Sequence, residues 1–136
     1  MNALRLLAVP AAALALTLGA VAAAPAAEAR TAATVSVVGA DGGTTVAANV
    51  GDTVQVDVAA VRDHTVTWYW YPPSSATPGL LAQTAGSADA DGDSHATFTA
   101  TAAGTGVITA IGRCVPDRGS VCPPWVVTWK VTLAVS

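Results

Sequence analysis

Thr65-Val66-Thr67-Trp68-Tyr69-Trp70-Tyr71 is the stretch on which the fold turns. β-Branched and aromatic residues fill every position, which suits a pleated, half-buried surface. A two-residue period places Val66, Trp68 and Trp70 on one face and Thr67, Tyr69 and Tyr71 on the other. Pro72-Pro73 ends the strand, because proline cannot donate to a ladder. With the indoles taken as the buried side, the two tyrosines stand beside each other on the outer face.

The same period recurs on either side of this strand. Thr34–Val38 reads as a first strand, stopped by the turn-prone Gly39-Ala40-Asp41-Gly42-Gly43, with Thr44–Ala48 as a short continuation. After the turn Asn49-Val50-Gly51-Asp52, Thr53–Ala59 carries Val54, Val56 and Val58 on one face and Thr53, Gln55 and Asp57 on the other. Ser74–Gly79 reads as loop and Leu80–Thr84 as a weak strand, followed by a polar tip over Ala85–Ser94. His95–Thr101 turns Ala96, Phe98 and Ala100 inward, and Thr105–Ile111 does the same with Gly106, Ile108 and Ala110. A disulfide loop, Arg113–Pro124, separates these from Trp125–Val135, where Val127, Trp129, Val131, Leu133 and Val135 share a side. Short strands at regular spacing, with no amphipathic helix, predict an all-β, immunoglobulin-like antiparallel β-sandwich of roughly seven to eight strands.

Two ends of the chain bound the domain. Arg5 precedes an apolar run, Leu6–Val21, and Ala27-Glu28-Ala29 offers a small-x-small cleavage pattern. The run is shorter than the roughly 20 residues needed to span a bilayer. Residues 1–29 are therefore expected to be a signal peptide, cut near Ala29–Arg30, with a single domain over 30–136. No cysteine lies near the cut, so no lipid anchor is expected. The chain has 136 residues and a net charge of −3. Its mature basic residues, Arg30, Arg62, Arg113, Arg118 and Lys130, are scattered, which gives no footprint for nucleic acid and no polybasic membrane patch. The bias toward Ala, Val, Thr and Gly points to a GC-rich bacterial genome.

Cys114 and Cys122 are the only cysteines, and in an oxidising compartment they read as one disulfide. Closing so short a loop is worth roughly 2–3 kcal/mol in the chain-entropy account. No further ligands stand near them for a metal, and Cys-x-x-Cys is absent.

Chemistry-bearing constellations are sparse. Asp93, Ser94 and His95 are a nucleophilic triad on paper, but neighbours in sequence rarely adopt that geometry. His64 and His95 read as solvated turn residues, and the mature chain has no Glu. Asp89-Ala90-Asp91-Gly92-Asp93 has alternating carboxylates, yet its glycine and its missing terminal Glu depart from an EF-hand loop. No enzyme, metal or cofactor is expected. Tyr69 and Tyr71 could stack on sugar rings or anchor a protein. Pro123-Pro124-Trp125, behind the disulfide, could form a preorganised contact element.

The segments Gly51-Asp52-Thr53-Val54-Gln55-Val56, Thr67-Trp68-Tyr69-Trp70, Ala96–Thr105 and Trp129-Lys130-Val131-Thr132-Leu133 together resemble the strand pattern of chagasin-type cysteine-protease inhibitors. They also resemble small exported domains of actinobacteria with a Cys-loop-Cys-Pro segment before the last strand. The resemblance implies a sandwich whose three loops at one end wedge into a papain-like cleft. The family's loop motifs are not matched: Val61-Arg62-Asp63-His64-Thr65 stands for Asn-Pro-Thr-Thr-Gly, and Asp89-Ala90-Asp91-Gly92 for Gly-x-Gly-Gly. In the third loop Arg113 is followed by Cys114, with Pro123-Pro124-Trp125 coming later.

The expectation is a secreted, monomeric, non-catalytic binding module. Its contacts would come from one end of the sandwich, namely Arg62–His64, Asp89–Asp93 and the Arg113–Trp125 loop, with Arg62, His64, Arg113, Pro123, Pro124 and Trp125 foremost, toward a protein partner that could be a protease. The alternative is binding to polysaccharide or cell wall through Tyr69 and Tyr71.

Overall fold

A computed structural model describes residues 30–136. The segment 1–29, read as a signal peptide, lies outside the described residues. Ten strands follow one another: β1 Thr34–Val38, β2 Thr45–Ala48, β3 Thr53–Val58, β4 Val61–Asp63, β5 Val66–Trp70, β6 Ser74–Ser75, β7 Leu81–Ala88, β8 Ser94–Ala100, β9 Gly104–Pro116 and β10 Val127–Val135. They form a four-stranded sheet in the order β1-β3-β8-β7, and a six-stranded sheet in the order β2-β10-β9-β5-β4 with β6 on β9.

The alternating faces explain why these sheets stack as a sandwich. Val54, Val56 and Val58 of β3, and Ala96, Phe98 and Ala100 of β8, are buried from the first sheet. Trp70 of β5, Ile108 and Ala110 of β9, and Trp129, Val131, Leu133 and Val135 of β10 meet them from the second. Val54 stands opposite Phe98 in the ladder, and Phe98 is the largest side chain that is fully buried. Gly112 seats both indoles of β5, because a Cβ there would lie 3.3 Å from the rings of Trp68 and Trp70. Trp68 is buried as expected but outside the main core cluster, flanked in the ladder by Val61 of β4 and Cys114 of β9.

Four local features differ from the sequence reading. First, β1 runs parallel to β3 and β2 runs parallel to β10, so the N-terminal strand divides itself between the sheets. The crossing is a single 3₁₀ turn, Gly39–Asp41, in which the Val38 N–H donates to Asp41 Oδ2 at 2.8 Å. The indole of Trp129 donates to the Gly39 carbonyl at 2.9 Å, and Gly42 leaves the space that this ring needs. Second, Val61-Arg62-Asp63 is a strand, hairpinned onto β5 through His64-Thr65. His64 takes a φ of 51°, a left-handed conformation in which His is enriched.

Third, β7 continues to Ala88, so the polar tip shrinks to Asp89–Asp93. Its Ala, Gly and Ser residues hide the period, and a register shift between Gln83 and Ala85 interrupts it. Fourth, β9 runs through Arg113 and Cys114 to Pro116, pairing with β5 beyond the point where β10 begins. Cys114 is thus a strand residue, and the disulfide ties a strand to a loop.

Candidate functional site

Three connections converge at one end of the sandwich. They are β3–β5 with its β4 hairpin, the β7–β8 tip, and the β9–β10 loop. Side chains lock them together. Asp93 Oδ1 accepts from the Ala60 N–H at 2.7 Å, joining the tip to the first connection. The Gly92 carbonyl accepts from the Trp70 N–H at 2.9 Å, so the tip extends the free edge of β5. Arg62 Nη1 donates to Asp117 Oδ1 at 2.7 Å and Nη2 donates to Oδ2, a two-pronged pair between the first and third connections. The Asp117 N–H also donates to the Thr65 carbonyl at 2.8 Å. The hydrogen bonds from Arg62 hold the Asp117 carboxyl below its ordinary range, and the guanidinium is raised in turn.

Beyond Asp117 the third loop changes character. Ser120 donates back to Asp117, and among the described residues no other hydrogen bond ties residues 118–126 to the rest of the domain. The Cys114–Cys122 disulfide closes residues 114–122, and 123–126 lead from it to β10. Val121 inside the ring is 86 % exposed, and Trp125 and Val126 just beyond it are 64 % and 70 % exposed. These apolar side chains stand in water on and beside a covalently closed loop, the arrangement expected of a contact element rather than of a core. Pro123 is half-buried and Pro124 exposed at the base of Trp125.

The remaining sequence-derived candidates divide. Arg62 is engaged as a strut between loops. His64 is exposed at the hairpin turn, with Nδ1 2.6 Å from Asp63 Oδ1. Arg113, expected in a loop, lies on β9 with its guanidinium 5.4 Å from the centre of the Tyr69 ring. Tyr69 is half-buried because Gly92 packs against its ring, with no room there even for a Cβ. Tyr71 is exposed. The paired outward tyrosine platform is therefore not formed, since the tip of the opposite sheet occupies one of its two members.

His95, expected at the start of a strand and in solvent, lies on β8 on the outer face of the four-stranded sheet, with both ring nitrogens engaged. Nδ1 lies 2.6 Å from Asp57 Oδ1 and Nε2 lies 2.8 Å from Asp89 Oδ2. The hydrogen bond to Asp57, and then that to Asp89, push its pKa up to about 9. Ser94, the preceding residue, points the other way and is fully buried. Strand alternation thus puts Ser94 and His95 on opposite faces, and the triad of sequence neighbours does not assemble.

Asp89, Asp91 and Asp93 bring carboxylate oxygens within 4.8 Å of one another. Each is engaged: Asp93 by Ala60, Asp89 by His95, and Asp91 by the Asp93 N–H. Sequence reasoning placed Asp89–Asp93 and the Arg113–Trp125 loop at this end as contacts, but it did not read Gly92, Asp93 and Asp117 as its ties, for their partners lie far away along the chain. The exposure of Val126 did leave a signal, because strand alternation through buried Trp129 and half-buried Val127 turns it outward.

No family model matches the chain, and none of the curated proteins does. Solved structures do resemble it. A cysteine protease inhibitor of Entamoeba histolytica superposes with a TM-score of 0.52 at 8 % identity, covering 79 % of this chain and 100 % of that one. Amebosin superposes at 0.48 with 20 % identity, over 79 % of this chain and 100 % of its own. An inclusion body protein of Burkholderia cenocepacia gives 0.46 and 11 %, over 75 % and 77 % of the two chains. The first of these shares the sandwich fold.

Proposed function

We propose that residues 30–136 form an exported, non-catalytic binding domain that acts through its three-connection end, in the manner of a cysteine protease inhibitor. The observation that carries this reading is the β9–β10 connection, where Val121 in the disulfide ring and Trp125 and Val126 just after it stand in solvent beside two other locked connections. Rigid scaffolds commonly present recognition elements in this way, because little entropy is lost on binding. The fold shared with a cysteine protease inhibitor and the strand-pattern resemblance to chagasin-type inhibitors both support it.

Titration of papain with the purified protein tests the reading. Inhibition at or below about 1 μM is expected. Trp125→Ala should weaken it by roughly 30-fold, the loss typical of a central aromatic anchor. Full papain activity at about 10 μM inhibitor overturns the proposal.

A further inference from the structure

The exposed apolar residues do not stop at the loop tips. Ile111 on β9 is 50 % exposed and Tyr71 just after β5 is 53 % exposed. They are neighbours, since the Tyr71 N–H donates to the Ile111 carbonyl at 3.0 Å. In the next row toward the loops, Tyr69 stands opposite Arg113. Ile111 and Arg113 alternate with buried Ala110 and Gly112, so both project from the outer face of the six-stranded sheet. This face leads on to Val126 of the third loop, because β10 begins at Val127 opposite Gly112 and alternation turns Val126 to the Ile111 and Arg113 side.

The charges on the two outer faces are arranged differently. On the four-stranded sheet, His95 sits between Asp57 and Asp89 and the groups satisfy one another. Arg30 and Arg62 likewise have Asp52 and Asp117. Among the described residues, Arg113 has no carboxylate within ion-pair distance. Its guanidinium is held over Tyr69, positioned and unpaired. An oriented cation set among Tyr71, Ile111 and Val126 matches a partner surface that brings its own carboxylate and apolar side chains.

We propose that the contact surface continues from the loop tips down the outer face of the six-stranded sheet, where Arg113, Ile111 and Tyr71 receive an acidic, partly apolar wall beside the cleft of the partner protease. This rests on the inhibitor reading above and adds a specificity surface to it. Arg113 steers the approach and pairs at the rim, and Ile111 with Tyr71 excludes water around that pair.

The test measures association rates and inhibition constants with papain for the purified protein and for Arg113→Glu, Arg113→Gln, Ile111→Asp and Gln55→Lys. All three positions are exposed strand sites, and a thermal melt of each variant confirms folding. Arg113→Glu and Ile111→Asp should each weaken inhibition by roughly tenfold or more. Added salt should slow association of the parent protein and leave Arg113→Gln nearly unaffected. Gln55→Lys, on the opposite outer face, should match the parent.

If the parent protein leaves papain active, the inhibitor reading and this inference fall together. If the parent inhibits and the Arg113 and Ile111 variants inhibit equally well, the sheet face alone is overturned. Retention on heparin-agarose that Arg113→Glu abolishes, with inhibition unchanged, would assign the face to polyanionic sugars and likewise overturn it.

Discussion

The two ends of the sandwich are closed by different means. At the end away from the loops, backbone groups do most of the work. Val50 N–H donates to the Ser136 carbonyl at 3.0 Å, Gly51 to Ala100 at 2.8 Å, and Ala100 to Asp52 at 3.0 Å. One buried carboxylate completes the closure: Asp52 accepts from the Ala33 N–H at 3.0 Å and from the Asn49 N–H at 2.9 Å. At the loop end the ties are side chains and a covalent bond, namely Asp93 on Ala60, Arg62 on Asp117, and Cys114 to Cys122. Apolar side chains are left outside there. A domain that must offer a surface can keep one end sealed by its main chain and let side chains shape the other.

Variants can separate the two ends. The largest effect is expected from Cys114→Ser with Cys122→Ser, which should cost roughly 2–3 kcal/mol of stability by denaturant melt. It should also weaken papain inhibition, because the apolar loop loses its brace. An unchanged inhibition constant would show that the loop is ordered by its neighbours alone.

Asp52→Asn comes next and should lower the melting temperature while sparing inhibition. The backbone hydrogen bonds from Ala33 and then Asn49 hold the Asp52 carboxyl below its ordinary value of 3.8. A depressed folded-state pKa gives stability that is present above that ordinary value and lost as pH falls through the folded one. The parent should therefore melt progressively earlier below about pH 4. The Asn variant should show a shallower acid slope.

His95 acts with the opposite sign. Its pKa is raised from 6.5 to about 9, so its contribution is complete below pH 6.5 and disappears as pH rises through about 9. The side chain is 41 % exposed, so solvent screening keeps the effect small. A melt series from pH 6 to about 10 should slope downward in the parent and flatten in His95→Gln. The smallest change is a gain. The Ser94 hydroxyl is buried with no hydrogen-bond partner among the described residues, so Ser94→Ala should stabilise by about 1 kcal/mol.

Much of the fold was legible because one face of each long strand is dry. Val54, Val56 and Val58, or Ala96, Phe98 and Ala100, announce themselves by period two. The parallel edges formed by β1 and β2 were not legible, since strand direction depends on partners remote in sequence. The extension of β9 through Cys114 was hidden for the same reason, its pairing residues being Val66–Trp70. At the site, Trp125 and Pro124 are exposed just beyond the disulfide ring. Tyr69 and Arg62 do not behave as free contacts, because Gly92 and Asp117 reach them only in the folded chain. Local pattern reports which way a side chain faces and is silent on what crosses to meet it.

The divided N-terminal strand has a consequence for how the protein is made. Thr45–Ala48 pairs with Thr132–Val135, the last strand of the chain. The β2 edge of the six-stranded sheet cannot form until Thr132–Val135 have been synthesised. Such distant pairing is the signature of slow acquisition of structure, in milliseconds to seconds rather than microseconds. The four-stranded sheet needs nothing beyond Ala100, whereas β2 waits for β10 before it has a partner.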